Sequence, residues 1–183
     1  MPAPIFEAWN SDNTQIVASH DFGQVKASKA SDALVVNLWN NKKDAADGSV
    51  RSTDVSDVIE ATVTTRDASG GVTGDTVLKQ YVEVNVNGEL NTPGDSASGL
   101  KWRPLGYDES TTKDVKAAIR AKAIAESTDS NGGGKFSGTA NDGNPATAAT
   151  QENFAQLQFH VNLPANAAAG TQSGLIRFEG YYV

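Results

Sequence analysis

The 183-residue chain contains no cysteine, which excludes a disulfide framework, a thiolate nucleophile and any Cys-ligated zinc or iron–sulfur site. Histidine is scarce as well, so imidazole chemistry has only His20 and His160 to draw on. Basic residues are in the minority: 15 Lys and Arg face 22 Asp and Glu, a formal charge of -7 that repels phosphate backbones and anionic lipid headgroups. Neither nucleic acid nor a membrane surface is therefore an expected partner. No stretch comes near the ~18 apolar residues of a membrane-spanning helix. Residues Met1 to Trp9 have neither a basic start nor an apolar run of about 7–15 residues, so no secretory leader is read there and cytoplasmic synthesis is expected.

What is present is a polar, turn-rich chain, with 38% apolar and 20% charged residues and 17 Gly against 6 Pro, long enough for one well-buried core. Gln80 to Gly88 sets Val82, Val84 and Val86 on one face and Glu83, Asn85 and Asn87 on the other, the period of a half-buried strand. Phe154 to Pro164 repeats it, with Leu157, Phe159, Val161 and Leu163 inward and Gln156, Gln158, His160 and Asn162 toward water. Ala33–Trp39, Asp57–Thr65 and Gly174–Gly180 have the same character, and Thr14 to Val25 reads as a weaker opening strand or two. Short strands between turn clusters predict an all-β, antiparallel β-sandwich.

Residues 112–126 fit two patterns. Val115, Ile119 and Ala123 recur at helical spacing behind Thr112 as a cap, while Ala117, Ile119 and Ala121 alternate as in a strand. The segments 91–99 and 129–150 are dense in small and polar residues and read as long loops, with a short strand at Lys135 to Gly138. Residues 1–13 read as an extended N-terminal arm, held open by Pro2 and Pro4, and 14–183 as one domain with an insertion near 91–150.

Catalytic patterns fail on context. Asp21-Phe22-Gly23 lacks every other protein-kinase element. Gly132-Gly133-Gly134-Lys135 is followed by Phe136 where a phosphate loop needs a hydroxyl, and Asp129 stands where its first glycine belongs. Ser173 is out of step with a nucleophile elbow and reads as a turn residue. Asp129, Asn131, Asn141, Asp142 and Asn144 carry oxygens suited to Ca²⁺, but without a closing Glu their ordinary reading is Asx turns. Asp108 and Glu109 read as solvated turn residues. No catalytic residue, cofactor or metal is expected.

The aromatics draw more attention. Ile5, Phe6 and Trp9 near the start, and Trp102 and Tyr107 between two predicted strands, are candidate contacts for a protein partner, since aromatic side chains concentrate at binding hot spots. Their alternative role is to cover open ends of the sandwich.

Two segments carry a resemblance. His20 to Asn41, with Asp21-Phe22-Gly23-Gln24-Val25 before a turn and a strand ending in Asn, resembles the opening of Hydin-type immunoglobulin-like domains. Leu163 to Phe178 resembles the closing hairpin of bacterial and phage immunoglobulin-like modules. Together with Leu38-Trp39-Asn40-Asn41 and Gly138 to Gly143, they are similar to small, Cys-free virion proteins of tailed phages. The resemblance covers about half the chain, and Leu100 to Ala125 has no counterpart in a minimal module of this kind. It implies an immunoglobulin-like sandwich in the virion, a non-enzymatic capsid decoration protein or tail or neck component that binds other virion proteins in many copies. The alternative is a carbohydrate- or cell-surface-binding module, in which exposed aromatics stack on a glycan.

Overall fold

A computed structural model of the chain describes residues 1–67, 78–90, 99–124 and 134–183. Among them lie strands β1 (Phe6–Asn10), β2 (Leu34–Asn40), β3 (Val58–Asp67), β4 (Val82–Val86) and β5 (Arg103–Asp108). They are followed by β6 (Lys113–Val115), β7 (Ala117–Ala118), β8 (Gly134–Phe136), β9 (Phe154–Val161) and β10 (Gly174–Tyr182), with one 3-10 turn at Ala149–Glu152.

The strands form two antiparallel sheets. One runs β1-β2-β9-β4-β5-β6; in the other, β10 lines one side of β3 while β7 and β8 share its opposite side. Val82, Val84 and Val86 register with Val161, Phe159 and Leu157, so the alternation in β4 and β9 delivers one apolar face. That face meets Val58, Ala61, Val63, Ala117 and Phe136 of the second sheet in a shared core. The expected all-β antiparallel sandwich is the observed fold, and Lys135-Phe136 lies in a short strand as expected.

The 112–126 window resolves in favour of strand at Lys113–Val115 and Ala117–Ala118, with no helix as far as Ile124 and a turn over 122–124; Ala125 and Glu126 lie outside the described residues. Ala117, Ile119 and Ala121 are buried, while the helical pattern fails at Ala123, which is exposed. The reason is tertiary: Ile119 donates its N–H to the Ala61 carbonyl and Ala121 to that of Lys135, so neighbouring chain satisfies backbone groups that a helix would have paired internally.

Three further expectations need correction. Residues 14–25 supply no strand, only an isolated bridge from Ile16 to Trp9, because the Asn10 carboxamide collects the Thr14 and Gln15 N–H groups and turns the chain back. Residues 1–13 are not an arm standing apart from the domain, since they contain β1, paired with β2 from Phe6 opposite Asn40 to Asn10 opposite Val36. The energetic reason is Trp9, whose ring joins Trp39 and Phe154 in a buried cluster. Residues 91–150, expected as an insertion, contribute β5 to β8 to both sheets.

Buried asparagines clamp one end of the sandwich. Asn40 Nδ2 donates to the Ser56 and Ser137 carbonyls, and Asn41 Nδ2 to those of Thr53 and Gly138. Asn153 Nδ2 donates to the carbonyls of Ser137 and Thr139, each at 2.9 Å. Side-chain amides thus satisfy loop carbonyls that no ladder reaches. Gly106 permits the close crossing of β5 over β3: its φ is +98°, and a side chain there would collide with the Lys79 carbonyl and the Thr65 hydroxyl.

Candidate interaction surface

The three N-terminal candidates are built into the sandwich. Trp9 is 4% exposed, with its Nε1–H donated to Glu7 and the Lys42 ammonium 4.1 Å from its ring centroid. Glu7 in turn accepts two hydrogen bonds from the Arg51 guanidinium, at 2.8 and 2.9 Å. Phe6 meets Phe136 edge to face at 5.1 Å. Ile5 is half-buried, its N–H held by Asn40 Oδ1. Of the three, Phe6 also lines a surface cleft described below.

Trp102 and Tyr107 are half-buried and belong to different surroundings. The Trp102 indole stacks on His160 with ring centroids 3.7 Å apart and planes 14° from parallel. His160 Nε2 lies 2.7 Å from Glu83 Oε2, with the ring N–H donated to the carboxylate, and Asn162 Nδ2 donates to the same oxygen at 3.3 Å. His160 stands on the outer face, as its place in β9 predicts, yet is only 8% exposed because the indole covers it. Tyr107 pairs with Asp114 in the β5–β6 ladder.

Other motif residues serve local structure. Asp21 Oδ1 accepts the Gly23 N–H in an Asx turn, and His20 packs edge to face with Phe22. Asp108 caps its turn by accepting from Ser110 and Thr111, while Glu109 pairs with Lys79 at 3.0 Å. Of the five oxygen-bearing residues considered for Ca²⁺, Asp129 and Asn131 lie outside the described residues. Asn141 and Asn144 make Asx turns to Gly143 and Ala146. Asp142 accepts from Thr147, Thr150 and the Asn144 N–H, and hydrogen bonds from the Thr147 hydroxyl foremost hold its carboxyl down to about 2. Among the described residues no group of three or more His, Asp or Glu side chains converges to hold a metal.

The surface that the sequence motifs did not single out is β10. It pairs with β3 along its whole length, yet most of it is exposed: Leu175 is 47% exposed, Tyr181 68% and Tyr182 63%. Its place at a sheet edge explains this. β10 is an edge strand of its sheet, paired with β3 on one side and with no described strand on the other, and its N-terminal half stands off from β1 and β2 across an open gap. Phe178 reaches the core, and Gly180 lets the strand pass Val58, which a side chain at that position would strike. Ahead of Phe178, the gap between β10 and β1 opens as a cleft of about 550 Å³ lined by Phe6, Ala8, Leu38, Leu175, Ile176 and Phe178, with Arg66 and Arg177. A signal was present in the sequence: Gly174 to Tyr182 carries Leu175 and Tyr181 at odd positions as well as Ile176, Phe178 and Tyr182 at even ones, and a strand buried on one face does not require both sets.

No protein-family description matches this chain, and no curated protein matches it either.

Proposed function

We propose that this chain is a non-enzymatic structural protein that works by multi-copy assembly with other proteins, presenting β10 and the cleft beneath it as the contact surface. The observation that carries this reading is the apolar side chains of β10, Leu175, Ile176, Tyr181 and Tyr182, exposed on a strand with an open edge. Trp9, by contrast, cannot reach a partner without leaving the core, so the docking surface shifts from the N-terminal aromatics to the last strand, with Phe6 as a wall of its cleft. The setting implied by the resemblance of residues 20–41 and 163–178 is the tailed-phage virion, as a capsid decoration protein or a tail or neck component. An acidic surface suits a protein that stays soluble alone and then docks in many copies, each contact being modest. The test is quantitative occupancy of purified phage particles by the wild type and by a Leu175→Asp/Tyr181→Asp variant whose circular dichroism is unchanged. Loss of occupancy in the variant supports the reading; equal occupancy refutes the assigned surface, and absence of the wild type from particles refutes the virion setting.

A second reading, a carbohydrate-binding module, rests on Trp102, an aromatic plate beside the polar Glu83, His160 and Asn162. Glycan-array binding that disappears in Trp102→Ala would favour it over protein assembly.

A further inference from the structure

We infer that β10 pairs with β10 of a second copy of this chain, antiparallel about a two-fold axis at Phe178, joining the two narrow sheets into one. This inference rests on the reading of β10 as the contact surface and names its partner.

The edges of the sandwich are not equivalent. The β1 edge is shielded where Ile16 bridges Trp9 and Val17 donates to the Ala8 carbonyl. At the other end of that sheet, β6 is three residues long. β10 offers nine residues, and among the described residues no strand pairs with its outer edge. It carries neither Pro nor Lys, the residues that commonly blunt an edge. Its one irregularity belongs to β3: Glu179 pairs with Thr62 and Tyr181 with Ile59, so the extra residue lies on β3 and the outer edge of β10 stays regular.

Symmetry and charge then select the register. A two-fold axis normal to a sheet keeps each side chain on its own face, so it must pass through a residue rather than between two. An axis at Arg177 sets arginine against arginine, and one at Glu179 sets glutamate against glutamate; like charges directly opposite are unfavourable. An axis at Ile176 or Gly180 gives the two charges only uncharged partners. At Phe178, Arg177 of each copy faces Glu179 of the other, Ile176 faces Gly180 and Leu175 faces Tyr181. The charges are available for this exchange: the Arg177 side chain is half exposed and 3.0 Å from its own Glu179, which also pairs with Lys116 and faces Arg66. A second Glu179 therefore enters a locally cationic neighbourhood. Pairing also places the apolar side chains of the two β10 strands beside one another.

The experiment uses the full chain, whose lack of cysteine makes engineered thiols unambiguous. Sedimentation equilibrium should show a dimer at about 100 μM. Arg177→Glu should weaken it by about tenfold or more, and Arg177→Lys should retain it. Mixing Leu175→Cys with Tyr181→Cys under mild oxidation should trap the heterodimer, with little homodimer from either variant alone. Circular dichroism checks that each variant is folded. A chain monomeric at that concentration, a dimer indifferent to Arg177→Glu, or cross-linking dominated by 175–175 or 181–181 pairs overturns the inference. Particle occupancy is scored separately: a monomer that still occupies particles defeats only the self-pairing, and a dimer absent from particles defeats only the virion assignment.

Discussion

Trp102 lies flat on His160, and that single stacking contact turns an outward-facing histidine of β9 into a buried one held to Glu83. The indole belongs to the segment leading into β5 and the imidazole to β9, so the contact crosses β4 and ties three strands together on the outer face.

Trp102→Ala should therefore destabilise the fold by about 1–3 kcal/mol, below the cost of a fully buried Trp because the ring is half exposed. Urea unfolding checks this. His160→Ala in the Trp102→Ala background should cost less than His160→Ala alone, and additive losses would show that the two rings do not cooperate.

Trp9→Ala should cost about 3–5 kcal/mol, since it empties a cluster shared with Trp39 and Phe154. Deleting residues 1–10 removes that ring together with an entire strand of the first sheet and should lower the melting temperature sharply. A deletion variant as stable as the full chain would return the N-terminal segment to the status of an arm.

Acid sensitivity should centre on Glu89. Burial opposes its ionisation, but hydrogen bonding to Arg103 and the charges of Arg103 and Arg120 outweigh this and bring its carboxyl below the usual 4.5. Arg120 Nη2 approaches at 2.5 Å. With the folded value lower than the unfolded one, the stabilisation is present above 4.5 and fades as pH falls through the folded value. Thermal unfolding across this range should show a falling melting temperature, with a shallower slope in Glu89→Gln. At neutral pH that variant should lose about 1–3 kcal/mol, less than a fully desolvated triad because solvent partly screens the site.

Asn153→Asp keeps the shape and removes the donor. Its carboxylate would face the Ser137 and Thr139 carbonyls now satisfied by Nδ2. A loss of about 3 kcal/mol or failure to fold is expected, and Asn153→Asp at wild-type stability would contradict the clamp.

How much was legible follows from the range of the forces involved. Alternation in β4 and β9 is a local property of the chain, and Val82-Glu83-Val84 or Leu157-Gln158-Phe159 can bury one face only as a strand. Two sheets over one core followed from several such runs. The choice in 112–126 was not local, because Ala117 joins a ladder only beside Val63, and Ile119 and Ala121 avoid a helix only where Ala61 and Lys135 present carbonyls to them. Trp9 carries no mark that it meets Trp39 and Phe154 rather than a partner, because any large aromatic gains by burial wherever a cavity is offered. Asn40, Asn41 and Asn153 carry no mark of a clamp in sequence and become structural only when distant loops bring their carbonyls within reach.

The alternating apolar positions by themselves determined strands and antiparallel layers over one core, because pleat geometry acts between residues two apart. Tertiary structure alone decided which aromatics are consumed by the core and which strand is left half-covered. That outcome depends on where each strand falls in the two sheets, with Trp9 set against Trp39 and Phe154 and β10 left at an edge, a property of how the whole chain closes on itself and of no single segment within it.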